Sequence, residues 1–429
     1  MNASQAPPGL PARSGSLVGA PGTLLSLQTT GWITLTCCFL AAIVEGIEIV
    51  SFGVAAPELR TALGLQPASI GFLASAGVVG LIFGAFFGGR LADRIGAKKV
   101  LMFSVLGSAL FALASALSHH FATLLVARLL VGMAVGVTMP NIIALSAEAG
   151  PERGEVARVS IVSAGMPAGG VVMGIFAATS LAHAWQSAFW FGTVVPALLL
   201  PLLGVSLPAG RSVPALRASE EDPGAPRPLA GYRFVLFGEG RAWSTVALWV
   251  SGFANQVIIF LLLSWLPTLM RAVGATRPEA VIAMALFNVG GVLGGFLFGP
   301  LMRRNTRWPV PAVSYTGSVI GLLALLLPNL TVSLRLFASL LLGVCAIGSQ
   351  LLVLGLSAET YDARYRGTGV GTATAVGRVG STVGPMIAGL AFSTATTSPA
   401  ILIVLLPLAI FAGGGSILLA MSRPRGSIR

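Results

Sequence analysis

Apolar stretches recur along almost the whole chain, separated by short breaks of charged residues, proline and glycine. Most are about 20 residues long, enough at about 1.5 Å per residue to cross a hydrocarbon core of about 30 Å. Barrel strands would instead read as segments of about 10 residues of alternating character. The spans are therefore predicted to be helices. A composition of 55% hydrophobic and 9% charged side chains, with a mean hydropathy of +0.89, excludes an ordinary soluble protein.

Twelve spans are predicted, beginning near Trp32, Ala68, Lys99, Phe121, Arg158, Ser187, Trp243, Glu279, Trp308, Thr331, Gly367 and Pro399. Residues 1–29, rich in Pro, Gly and Ser, read as a disordered cytoplasmic tail. The first span is too long for the apolar core of a signal peptide and carries acids at its centre, so it counts as a helix. Residues 30–207 form a first six-helix bundle, 208–242 a cytoplasmic linker, 243–421 a second bundle and 422–429 a tail. The string "LSAEAGPERGEVARVS" at 145–160 is echoed by "LSAETYDARYRGTGVG" at 356–371. A repeat of that period implies two bundles related by an axis along the membrane normal. The expected fold is thus an all-α integral membrane protein, twelve transmembrane helices in two six-helix bundles.

The formal charge of +12 is explained by its distribution. Of the 26 Lys and Arg, Arg60, Arg271, Arg277 and Arg335 fall on one side and Arg128 and Arg378 inside spans, leaving twenty on the other side. The positive-inside rule makes that basic side, with both termini, cytoplasmic and removes the need for a nucleic-acid partner. The three cysteines resemble neither a disulfide framework nor a metal site. "GTGVGT" at 367–372 precedes an apolar span rather than following a strand, so it reads as close helix packing. No GxxxxGK[ST] motif supports ATP-driven pumping. No constellation of nucleophile, base and metal ligands suggests an enzyme.

Function is most legible in "EGIE", where Glu45 and Glu48 stand i, i+3 on one face of the first span. An ionised group at the bilayer centre costs about 2.5 to 3.5 kcal/mol, so both should face protein or a water-filled cavity. Burial and a like-charged neighbour disfavour the second anion, and a carboxyl that gains and loses a proton suits proton coupling. The alternative is a pair that merely holds helices together. Arg128 lies about seven residues inside its span, roughly 10 Å deep and level with Glu48. It is a candidate to bind a substrate carboxylate through its planar fork, or else to staple Glu48. Arg378, roughly 16 Å in from the other side, is a second candidate clamp, with helix packing as its alternative. Asn255 and Trp265 are candidate substrate contacts on the seventh span, against interhelical hydrogen bonding and packing respectively. Glu148 with Arg153, and Glu359 with Arg364 or Arg366, sit at the repeated cytoplasmic ends and are candidate gating ion pairs.

Between the second and third spans lies "GGRLADRIGAKKVL", whose glycines allow a tight turn with Asp93 near a helix N-terminus. Gly89, Leu91, Asp93, Arg94, Gly96 and Lys98 resemble the signature loop of the major facilitator superfamily, which implies a conformational latch at Asp93 and Arg94. The corresponding "GPLMRRNTR" has Arg303 where an acid would stand. "ARLLVGMAVGVTMPNIIALSAE", "SWLPTLM" and "GTGVGTATAVGRVGSTVGP" resemble spans of the aromatic acid:proton symporter family. "EGIE" resembles its first-span motif, which more often carries aspartates. "AWQSAFW" and "TAVGRVG" are similar to the family's carriers of 3-(3-hydroxyphenyl)propionate. The resemblance implies a symporter of the bacterial cytoplasmic membrane, importing an aromatic acid with protons. It would act as a monomer and without a cofactor, driven by the proton gradient. Carriage of benzoates or other organic acids, drug efflux and a non-transporting sensor are the competing expectations.

Overall fold

The computed structural model describes residues 21–150, 155–179, 184–207, 232–238, 240–301, 309–327, 329–361, 366–394 and 399–421. Among them, twelve helices are long and apolar enough to cross a membrane. They are Gly31–Ala62, Pro67–Ala92, Ala97–Ala116, Phe121–Ser146, Ala157–Ala178, Trp185–Ser206, Ala242–Ala272, Arg277–Phe298, Pro309–Leu326, Val332–Ser357, Thr368–Ser393 and Leu402–Met421, called spans 1 to 12. Each begins within a few residues of its predicted start, because charged residues, Pro and Gly end an apolar helix wherever they cluster.

One expectation about the connections is corrected. The helix carrying span 1 begins at Pro21, inside the stretch read as a disordered tail. The linker contains a short helix, Tyr232–Phe237, whose Leu236 carbonyl accepts a 2.5 Å hydrogen bond from the Thr245 hydroxyl of span 7. Composition alone missed it because a six-residue helix has too few turns to show a period.

The packing is duplicated. Span 1 lies against spans 5 and 6, span 2 against 4, and span 3 against 4 and 6. Span 7 likewise lies against 11 and 12, span 8 against 10, and span 9 against 10 and 12. Between the bundles, span 2 meets span 11, span 5 meets span 8, and span 1 meets span 7. Exchanging the halves maps the pair of spans 1 and 7 onto itself and each of the other pairs onto another, which defines an approximate two-fold axis between spans 1 and 7. The repeated LSAE strings end spans 4 and 10, at equivalent places. The turns after spans 1 and 7 each need a left-handed residue, supplied by Gly64 (φ 60°) and Gly274 (φ 87°).

The halves meet from mid-membrane toward the arginine-poor end that carries these two turns. Gly71 of span 2 and Gly389 of span 11 pack backbone against backbone, and a Cβ at Gly53 would run into the Leu263 carbonyl. Ser75 donates to the Thr382 carbonyl at 2.7 Å, and the Ala68 amide to the Ser393 hydroxyl at 3.0 Å. Arg277 pairs with Glu58 at 3.0 Å across the seam. Thr276 and Glu279 cap the start of span 8 at 2.7 Å and so fix where Arg277 projects.

Candidate functional site

Glu45 and Glu48 are 3% and 1% exposed, so neither carboxyl meets lipid. Glu48 lines a cavity bounded by spans 1, 2 and 4 of the first half and span 7 of the second. Phe52, Gly77, Arg128, Phe260 and Ser264 are among its walls. Its lining is apolar except for the acid, the cation and one hydroxyl. A charged ligand therefore has few groups to orient on.

Arg128 is 4% exposed, and its guanidinium carbon lies 5.2 Å from the Phe52 ring centre and 5.5 Å from that of Phe189. Its Nε and Nη1 have no hydrogen-bond partner, and neither does either carboxylate oxygen of Glu48. Glu48 is the acid whose charge acts on Arg128, yet the two share the cavity without forming an ion pair. The staple considered from the sequence is absent in this conformation. Small residues make the room: a Cβ at Gly192 would stand 2.8 Å from Glu48 Oε1, and one at Gly77 3.4 Å from Arg128 Nη2.

The acids that look like one pair in the sequence answer to different cations. Arg378 of span 11 is the charge that acts on Glu45, so this interaction crosses between the halves while that of Glu48 stays within the first. Arg378 is half-buried and does not line the cavity, so the structure does not bring the two arginines together as one clamp.

Asn255 and Trp265 also stand apart from the cavity. Asn255 is fully buried and donates to Gln350 Oε1 at 3.3 Å. Trp265, 1% exposed, donates its indole N–H to the Pro385 carbonyl at 3.1 Å and stacks on Phe392 at 4.9 Å. Both serve helix packing within the second half here, the alternative weighed for each. Of the candidate gating residues, Arg94 and Glu359 are exposed at the ends of their helices. Asp93, Glu148 and Arg366 are helical but their side chains lie outside the described residues, as do the whole of Arg153, Arg303 and Arg364. Lys98 of the same loop donates to the carbonyls of Gly204 and Leu207 at 2.8 and 2.5 Å, tying the loop to the end of span 6.

Sequence reasoning did not find Phe52, Phe189, Gly77, Gly192 or Ser264. Phe189 lies in the quoted "AWQSAFW", but nothing in an apolar run distinguishes a ring that faces a cation from one that faces lipid. Arg335 lies at the end of span 10, as its charge pattern predicts, but it is 3% exposed and donates to the carbonyls of Leu325, Leu327 and Leu330 at 3.2, 2.8 and 3.2 Å. It caps the end of span 9.

Two pseudo-symmetric six-helix bundles, closed together at one end over a charged central cavity, are the architecture of a membrane carrier and not of an enzyme. The chain matches the Major Facilitator Superfamily over residues 35–385 and belongs to that family. It is 34% identical to the 3-(3-hydroxy-phenyl)propionate transporter of Escherichia coli (strain K12) over 391 residues, 91% of this chain and 94% of the relative. It is also 34% identical to the gallate transporter of Pseudomonas putida over 410 residues, 90% of this chain and 91% of the relative. Among solved structures, a D-xylose-proton symporter aligns with a TM-score of 0.73 at 16% identity, covering 92% of this chain and 98% of that one.

Proposed function

We propose that the protein is a proton-coupled symporter that imports an aromatic carboxylate across the bacterial cytoplasmic membrane by alternating access. The observation that carries this reading is the coexistence, in one buried cavity, of a carboxyl and a guanidinium that are both unpartnered. Leaving a buried charge unpaired is costly, so a state of this kind is poised for ligands. Arg128 takes the substrate carboxylate, while Glu48 takes the proton. Glu45, facing Arg378 across the halves, is the second candidate proton carrier. With the basic end cytoplasmic, the conformation described is closed toward the outside.

The energetics favour coupling. A monoanion entering against a negative interior is opposed by about 2.3 kcal/mol per 100 mV, which one co-transported proton cancels and two reverse. No cofactor enters this scheme, and the residues lining the cavity all belong to one chain, which supports a working monomer. For the substrate, 3-(3-hydroxyphenyl)propionate and related phenylpropanoid acids lead, on the relative from Escherichia coli. Hydroxybenzoates are the second reading, because the gallate transporter is equally similar.

The test is uptake into proteoliposomes under an imposed pH gradient, with a panel of arylpropionates and hydroxybenzoates. Accumulation of an aromatic acid that collapses with a protonophore is expected. Uptake indifferent to the gradient would remove the coupling, and a panel without accumulation would remove the substrate class.

A further inference from the structure

Whenever Glu48 is ionised, it and Arg128 are opposite charges in one low-dielectric cavity and attract strongly, so their separation needs a cause. Span 6 supplies one. Phe189 and Gly192 are three residues apart on that helix, hence on one face. Phe189, fully buried, presents its ring 5.5 Å from the Arg128 guanidinium carbon, and Trp185 backs that ring edge-on at 6.0 Å. Phe52 holds the same cation from span 1 at 5.2 Å. One turn on, the missing side chain of Gly192 is the seat of the Glu48 carboxyl. We infer that Phe189 and Gly192 are positioning residues that hold the cation and the acid apart. Arg128 is thereby left with Nε and Nη1 free for a substrate carboxylate.

A cation over an aromatic ring is held without consuming its N–H donors, and the hold strengthens when the site is dry. Losing the Phe189 ring lets the guanidinium relax toward Glu48, and substrate must then break an ion pair before it binds. A side chain at 192 drives the carboxyl off its seat with the same result.

The inference rests on the symporter reading, and its test separates the two. Binding of radiolabelled 3-(3-hydroxyphenyl)propionate is measured on purified full-length protein, together with KM and maximal uptake in proteoliposomes. Phe189→Leu is expected to weaken binding about five- to thirty-fold, with the loss appearing in KM and not in maximal uptake. Gly192→Ala should act in the same direction. Phe189 is also replaced by phenylalanines with one, two and three ring fluorines, which remove the ring's negative face at nearly constant size. Affinity should fall stepwise with fluorine number, a response that a purely packing role would not produce. These variants decide the matter if Phe189→Leu is not recovered from membranes. Arg128→Ala is the reference: unchanged binding in that variant would overturn the cavity reading itself. Binding lost in Arg128→Ala but flat across the fluorinated series would overturn the positioning role alone.

Discussion

Replacing Gly71 by alanine tests how the halves are held together. A Cβ there would stand 2.8 Å from the Pro385 carbonyl oxygen, 3.1 Å from Gly389 Cα and 3.3 Å from Met386 Cα. The first of these is about half an ångström inside ordinary non-bonded contact. All three atoms belong to the backbone of span 11, so no side chain can rotate away and the seam itself must give. Overpacking of this kind costs about 1 to 3 kcal/mol. On the alternating-access reading proposed above, spans 2 and 11 are apposed only while this end is closed, so that cost falls on one of the two access states. Alanine's better helix propensity acts on both states equally and drops out of their ratio. The ratio of outward-open to closed protein should rise about 5- to 150-fold. Ser264→Cys, in the cavity wall, reports it through alkylation by an impermeant maleimide added outside, against a background of buried Cys37, Cys38 and Cys345. Gly80→Ala is the control, because its Cβ would meet Leu129 and Met133 inside the first half, away from the seam. An unchanged labelling rate in Gly71→Ala, or an equal rise in Gly80→Ala, would refute the assignment of this interface as the outer gate.

Other consequences follow from single contacts. Glu58→Gln should raise outside labelling of the Ser264→Cys reporter only about two- to five-fold, since the Glu58–Arg277 pair is 30% and 31% exposed and such pairs contribute about 0 to 1 kcal/mol. The effect should shrink in high salt, and the exchanged pair Glu58→Arg with Arg277→Glu should restore the wild-type rate. Glu48→Gln, a permanently uncharged analogue, should abolish accumulation driven by a pH gradient while keeping substrate counterflow, measured in the same vesicles. Arg335→Met removes donors from one buried and two part-buried carbonyls and should cost about 1 to 3 kcal/mol, seen as a lower thermal midpoint in detergent at unchanged substrate affinity.

The spans and their order were legible because a hydrocarbon solvent demands long apolar helices, and Arg, Pro and Gly mark where they end. The halves were legible through one repeated string, LSAE, and the acids through their presence where charge is expensive. Glu45, Glu48 and Arg128 announce themselves by type and depth. Their partners do not: helical spacing places Glu45 and Glu48 on one face, but which cation each meets depends on how spans 4 and 11 pack around span 1. Arg378 and Arg128 look equivalent in the sequence, yet only Arg128 lines the cavity. Trp265 and Asn255, chosen for their chemistry, are taken up by carbonyl and amide groups that lie 120 and 95 residues away.

By itself, then, the sequence determined the solvent, the number of crossings, the duplication and the presence of costly buried charge, all of which depend on residue type and short-range spacing. Tertiary structure alone decided that Phe52 and Phe189 hold Arg128, that Gly192 seats Glu48, and that the halves are sealed at Gly53, Gly71 and Gly389. A phenylalanine or glycine in an apolar run reads the same whether it touches lipid, a neighbouring helix or a charge. Its role is set by neighbours brought together only when the helices pack.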